Sequence, residues 1–318
     1  MSAPTVPEAP QGADGPEIGG EAPATARAIV WTRRRTAFLT FVRRFARSKG
    51  GMLGLFVLVF FVVVALTAPF FFPRTVLDVT QATGQPFESP SLQFPLGTDD
   101  SGVSVLALVC WGARISLVVG LAATVLSMFI GTTIGISSGH YRGFGGGALD
   151  RLTDWFLVIP YLPLAIVLAT VLGRSLVNII IVIGVTSWPG TARLIRAQTL
   201  SVEGRPYLER AKALGAGNVH QMSKHVLPNV MPLVLANTTL AVSISILSET
   251  TLSFLGLGDP ENVSWGSILE QAFASGAISQ EAWWYVGSPG VCVVLVVLSF
   301  NLIGRAIEEI LDPRGAAH

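Results

Sequence analysis

Charge is the scarcest thing in this sequence. Asp, Glu, Lys and Arg make up 13% of 318 residues, against about 25% in an ordinary soluble domain. With 51% of residues apolar, there is too little polar surface to cover a soluble particle, and the chain reads as a membrane protein. Cysteine is scarcer still: Cys110 and Cys292 stand far apart inside apolar runs, which argues for two small hydrophobes over a disulfide or a metal pair. The four histidines are scattered and no HExxH occurs, so a hydrolytic or zinc constellation is missing. A Walker loop needs Gly before its Lys and Ser or Thr after it, yet Lys49, Lys212 and Lys224 follow Ser48, Ala211 and Ser223. The chain is expected to hydrolyse no nucleotide and to bind no cofactor of its own.

What the sequence does have is long uncharged stretches. Six occur, at 52–72, 115–136, 155–172, 175–191, 230–248 and 282–304. At 1.5 Å per residue, about 20 residues cross a hydrocarbon core of about 30 Å, and lipid offers backbone groups no other partner than their own helix. The prediction is an all-α membrane protein of six transmembrane helices. Only Gly173 and Arg174 separate the third run from the fourth, which predicts a tight helical hairpin. The first run lies too far from the N-terminus, and is too long, for a cleaved secretory signal.

Residues 1–28 hold five prolines, four glycines and four acids with little to bury, the composition of a disordered tail. Residues 29–50 turn basic, with Arg33, Arg34, Arg35, Arg43, Arg44, Arg47 and Lys49 around Phe38, Leu39, Phe41, Val42 and Phe45. This segment reads either as an amphipathic helix on an anionic membrane face or as the positive flank of the first span, and both place it in the cytoplasm. The membrane-spanning body is then 51–311, with a short tail at 312–318.

Lys and Arg in short loops set orientation. With six spans and both termini inside, eighteen of the twenty-one Lys and Arg fall on the cytoplasmic side. Only Arg74, Arg114 and Arg174 do not, and the last outer loop, 257–281, has four acids and no basic residue. An opposite orientation, or one span fewer, breaks this pattern.

The long inner loop at 192–228 carries most of "ERAKALGAGNVHQMSKHVLPN", residues 209–229. Apolar positions Leu208, Ala211 and Leu214, and then Val219, Met222 and Val226, recur three or four apart, which predicts one greasy stripe on a charged helix. Gly215 and Gly217 interrupt it, so a short helix, a bend and a second helix are expected. Pro228 is expected to open the fifth span. The loop is longer than a connection requires and reads as a docking element, the alternative being a helix lying on lipid.

Glu209, Ala211 and Gly215, followed by "LPN" at 227–229, resemble the EAA loop of the membrane subunits of ATP-binding cassette importers. Arg210 stands where that family usually has its first alanine. "FPLGTDDSG" at 94–102, "GARISL" at 112–117, "HYRGFGGGALDR" at 140–151, "ETTLSFLGLG" at 249–258 and "DPR" at 312–314 resemble the C-type subunit of the dipeptide and oligopeptide permease branch. The resemblance covers roughly 49–314. It implies the type I ABC importer permease fold, with the inner loop forming a cytoplasmic coupling helix that sits in a groove of a separate ATPase. It further implies a heterodimer with a homologous permease, two cytoplasmic ATPases that hold ATP and Mg, an extracytoplasmic solute-binding protein, and a bacterial inner membrane with both termini inside. No nucleic acid is implied.

On that resemblance Leu208, Glu209, Ala211, Leu214 and Gly215 are the expected ATPase-docking surface, Glu209 capping or pairing and Gly215 permitting close approach. Asp99, Asp100, Asp259 and Glu261 form an acidic outer rim, either a docking surface for the binding protein or plain solvated loop. Glu249 ends the fifth uncharged run and, as an acid near lipid, is a candidate for the translocation pathway; it could instead only orient the "SFLGLG" turn. Trp265, Trp283, Trp284 and Tyr285 are expected in the headgroup layer. The expected cargo is a di- or oligopeptide, with nickel chelates or haem as alternatives. A secondary transporter that works without ATP is disfavoured because the six runs contain no charge.

Overall fold

The structure, a computed structural model, describes residues 26–311. It is helical, and the described residues contain no strand beyond a single bridge between Thr98 and Ser104. The first helix, α1 (Ala26–Arg47), takes in residues 26–28 as well as the basic segment. Residues 1–25 of the expected tail, and 312–318 with their "DPR", lie outside the described residues. Ser48 then caps α2 (Lys49–Phe71), accepting from Gly51 N.

Residues 44–311 belong to one compact unit. Two short 3₁₀ turns, Arg74–Leu77 and Val79–Gln81, lead to a loop and then to α3 (Val105–His140), which at 36 residues is about 54 Å long. The helices α4 (Phe144–Val158), α5 (Tyr161–Leu172), α6 (Leu176–Thr186) and α7 (Trp188–Glu203) follow. The short α8 (Pro206–Ala213) and α9 (Asn218–Gln221) lead through a π-helical turn at Met222–Val226 into α10 (Leu227–Leu252). A second π turn at Ser253–Leu257, α11 (Trp265–Ala274) and α12 (Trp283–Leu311) complete the unit.

Five helical stretches are long and apolar enough to cross a membrane: Lys49–Phe71, Val105–His140, Leu176–Glu203, Asn218–Leu257 and Trp283–Leu311. The sixth expected span differs. The run 155–172 is broken between α4 and α5, whose axes differ by 91°. Pro160 supplies no N–H and holds Ile159 in extended backbone (φ −72°, ψ 125°), which a helix cannot continue through. Residues 155–158 therefore belong to α4. The predicted hairpin does form: Gly173 turns at φ +85°, Ser175 caps α6 by accepting from Asn178 N, and α5 packs on α6.

α3 is the central strut, packing on α7, α10, α6 and α2. Its glycine stripe, Gly131, Gly135 and Gly139, lies one residue per turn along α7. A Cβ on Gly135 would stand 2.6 Å from Ala192 O, and one on Gly131 2.9 Å from Trp188 O. Only glycine permits this backbone approach, the usual way lipid-facing helices gain packing contact. Near the Val105 end, Trp265, Tyr285, Phe300 and Phe61 fill a core between α2, α3, α11 and α12. Near the His140 end, Met128, Ile136, Ile195, Leu208, Val226 and Val230 form another between α3, α7, α8 and α10.

Candidate functional site

The loop singled out in the sequence lies at the His140 end of α3. Pro206 starts α8 at a position where a missing N–H costs nothing. The helix ends in a Schellman turn: Ala216 N donates to Ala211 O, Gly215 N donates to Lys212 O, and Gly215 takes φ +82°. The expected helix, bend and second helix are all present. Gly215 faces open space, with nothing within 4 Å of where a Cβ would be, so within this chain its role is the left-handed cap and not a close approach.

Leu208 departs from its expected place on the docking face. Its side chain is fully buried, at 0% exposure, because α8 must bury its one large apolar anchor in the chain's own core. Leu214, by contrast, is 88% exposed. Glu209 and Arg210 are exposed and Ala211 is half-buried. The outward face of α8 is therefore Glu209, Arg210, Ala213 and Leu214. Arg205 Nη1 donates to Asn229 Oδ1 at 3.3 Å, which ties the "LPN" segment to the start of α8.

Pro228 is the second residue of α10, at the start of the fifth span as expected. No loop precedes it, because the helical stretch already begins at Asn218. A proline inside a helix clashes with the carbonyl four residues back. Here the π turn widens the path, and Leu227 N donates to Met222 O, five residues back.

At the Val105 end, a cavity of about 490 Å³ is lined by Asp99, Asp100, Asp259, Glu270, Arg174 and Tyr285, among others. Three of the four rim acids are committed within the chain. Asp99 is 7% exposed, and its Oδ1 accepts from Ser101 N at 2.9 Å and Val103 N at 2.8 Å. Burial pushes its carboxyl above the ordinary carboxylate value, against the pull of those two N–H donors. Asp100 accepts from Gln271 Nε2 at 3.1 Å and Tyr285 Oη at 3.3 Å. Asp259 accepts from Leu176 N at 2.9 Å, capping α6, and from Glu261 N at 2.8 Å. Glu261 is exposed. Glu270 and Arg174, absent from the expected rim, share the cavity wall with these acids.

Glu249 lies inside α10, which continues past the uncharged run to Leu252. It is 1% exposed. Its Oε2 accepts from Ser116 Oγ at 2.9 Å and its Oε1 from Ser253 Oγ at 2.8 Å. Of the two roles read from the sequence, these hydrogen bonds fit the structural one. The aromatic belt is also corrected. Trp265, Trp284 and Tyr285 are core residues at 0%, 7% and 1% exposure, and Trp283 alone of the four is exposed, at 70%. Their N–H groups found partners inside: Trp265 Nε1 donates to Val109 O and Trp284 Nε1 to Thr98 O.

Glu203, outside the sequence motifs, is a buried polar hub at the His140 end. It is 7% exposed and accepts from His140 Nδ1 at 2.5 Å and Lys212 Nζ at 2.6 Å. Further back along α7, Arg193 pairs with Asp154 at 2.6 Å and Arg196 with Asp150 at 3.2 Å, joining α7 to α4. Among the described residues no group of His, Cys, Asp and Glu is placed to hold a metal. Both cysteines are free thiols.

A multi-pass helical bundle with an apolar belt, a short anchored surface helix at one end and a polar cavity at the other is the architecture of a transport permease. Residues 131–316 match the family described as binding-protein-dependent transport system inner membrane component, and residues 36–90 match the N-terminal TM domain of oligopeptide transport permease C. The chain is 35% identical over 279 residues to the di/tripeptide transport system permease protein DppC of Pseudomonas aeruginosa, covering 86% of this chain and 91% of that one. It is 36% identical over 277 residues to the oligopeptide transport system permease protein OppC of Haemophilus influenzae, covering 86% and 87%. It is 34% identical over 273 residues to the dipeptide transport system permease protein DppC of Bacillus subtilis, covering 86% and 84%. The chain belongs to the type I ABC importer permeases, in the C-type branch of the dipeptide and oligopeptide transport family.

Proposed function

We propose that this chain is one half of the membrane pathway of an ATP-driven peptide importer. It pairs with a homologous permease, receives di- or oligopeptides from an extracytoplasmic binding protein, and is driven by two separate ATPase subunits that hold ATP and Mg. The chain itself is non-catalytic. It sits in the bacterial inner membrane with both termini in the cytoplasm, the orientation that puts most of its Lys and Arg inside.

The observation that carries this reading is the arrangement of α8. One face is sunk into the core through Leu208, and the opposite face offers an 88% exposed leucine, Leu214, beside exposed Glu209 and Arg210. An exposed large apolar side chain flanked by charge, on an anchored helix, suits a protein groove. Peptide is the cargo because di/tripeptide, dipeptide and oligopeptide stand in the names of the relatives. Glu261 and Glu270 are the acids left to meet a binding protein.

Purification in mild detergent tests the assembly: ATPases and a second permease are expected to co-purify, and Leu214→Asp is expected to release the ATPases. A cysteine at Glu209 should be labelled only from the cytoplasmic side. Labelling from outside, or transport by this chain alone, would refute the proposal.

A further inference from the structure

The structure assigns Glu203 a role as the joint through which α8 moves the membrane helices. This inference rests on reading α8 as the ATPase-coupling helix. We propose that Glu203 is a positioning residue: it acts through Lys212 and His140 and touches neither nucleotide nor cargo.

α8 follows α7 after only two residues, Gly204 and Arg205. A helix held at one end by so short a connection can still pivot about it. Two further attachments remove the pivot. Leu208 and Lys212 are four residues apart and so lie on one helix face. Leu208 is fully buried, in the core it shares with Ile195, Val202, Val226 and Val230. Lys212 reaches back nine positions to Glu203 Oε2 at 2.6 Å. Apolar contact alone is non-directional and lets a short helix roll. The ion pair fixes the roll.

The other oxygen of the same carboxylate is held by His140 Nδ1 at 2.5 Å. An ionised carboxylate only accepts, so Nδ1 carries the proton in this contact. His140 is the last residue of α3 and Glu203 the last of α7. One carboxylate thus joins three elements: the surface helix, the central strut and the helix packed on its glycine stripe. Side-chain exposure of His140 and Glu203 is 3% and 6%. A charge so deeply buried is costly to leave without a partner, so α8 cannot part from α3 and α7 cheaply. Displacement of its exposed face is carried into both helices and is not absorbed at Gly204.

Among the described residues the far side of α8 has no equivalent tie. It leaves through the Schellman turn at Gly215 and is closed by Gln221 Nε2 donating to Ala216 O at 2.5 Å, a local contact within the loop. The asymmetry places the rigid side of the lever toward α3 and α7.

The test uses the complete transporter, with its second permease, ATPases and binding protein, reconstituted in liposomes. Lys212→Met keeps the apolar stem and removes the charge. It is expected to insert, to retain its ATPases and to hydrolyse ATP, while peptide uptake per ATP falls about tenfold. Lys212→Arg is expected to restore the ratio, which a variant that merely loosened the fold would not do. Glu203→Gln carries the same test should Lys212→Met insert poorly, since Gln keeps an acceptor for His140 and loses only the charge that holds Lys212. A spin label at Leu214→Cys should become more mobile in either variant. Unchanged uptake per ATP with the ATPases bound would overturn the joint. Loss of the ATPases from Lys212→Met alone would make Lys212 a docking contact, which also overturns it. Failure of the unmodified protein to hold ATPases would instead sink the coupling-helix reading beneath it.

Discussion

Ser116 Oγ donates to Glu249 Oε2 at 2.9 Å, joining α3 to α10 across 133 positions of sequence. The two residues belong to separate motifs, "GARISL" and "ETTLSFLGLG", and they meet because Gly112 and Gly266 let the chain around Trp265 close up. A Cβ on Gly112 would be 2.8 Å from Trp265 Cδ1, and one on Gly266 2.5 Å from Thr250 O. The serine is doubly used, since its hydroxyl also accepts from Trp265 N at 3.2 Å.

Ser116→Ala is expected to lower stability by about 1–3 kcal/mol, because it leaves a buried acceptor and a buried N–H without partners at once. Thermal unfolding in detergent measures it. Glu249→Gln, which still offers an oxygen and can donate to a serine hydroxyl, should cost less than Glu249→Ala. Transport by Glu249→Gln should stay near the parent level. A selective loss of transport there, with stability intact, would restore Glu249 to the translocation pathway.

Gly215 and Gly217 are expected to differ although they are two residues apart. Gly215 sits at φ +82° and Gly217 at φ −69°. Gly215→Val should cost about 1–2 kcal/mol of local strain and disturb the end of α8, so that uptake and stimulated ATP hydrolysis fall together while insertion persists. Gly217→Ala has room and an ordinary conformation, and uptake should be unchanged. Equal tolerance of both would mean that the bend is incidental.

Asp99 gives a pH dependence of defined sign. Its carboxyl titrates above the ordinary value in the fold because of burial. Below both values it is neutral in folded and unfolded chains and costs nothing. As pH rises through that window the unfolded chain releases its proton first, so stability falls and then levels off above the folded value. Asp99→Asn keeps Oδ1 as the acceptor for Ser101 and Val103 and removes the titration. Its melting temperature should gain on the parent as pH rises above the ordinary carboxylate value, and a constant difference would contradict the assignment.

Gly135→Val places a branched side chain against the backbone of α7, 2.6 Å from Ala192 O, where nothing can give. A loss of about 1–3 kcal/mol is expected, read as a lower midpoint of thermal aggregation in detergent. Gly190→Ala, in open space on α7, should be neutral or slightly stabilising.

Much of the fold is legible in the sequence because lipid is an unforgiving solvent: an uncharged run of span length has one economical structure. Five of the six predicted runs fall in single long helical stretches, and the hairpin at Gly173 and Arg174 follows from the lack of any longer loop. The break at Pro160 was also readable in principle, since proline fixes its own φ and pushes its predecessor out of the helix. The run around it is apolar enough to mask the signal. At the surface helix, periodicity located the greasy stripe and glycine located the bend.

Which side of that stripe is used could not be read, because Leu208 and Leu214 are chemically alike and only packing tells the buried anchor from the exposed contact. The acids show the same division. Asp99, Asp100, Asp259, Glu203 and Glu249 are one residue type or its homologue in the sequence. The fold alone decides that Asp259 caps α6, that Asp100 is held by Gln271 and Tyr285, and that Glu203 and Glu249 sit in the core, because each takes a donor from a segment far away along the chain, whereas Asp99 closes a turn with the nearby N–H groups of Ser101 and Val103. Composition and pattern determined that this is a helical membrane protein with a long amphipathic loop, and the motifs pointed to its family. Tertiary structure decided which residues of that loop hold on and which are free to be held.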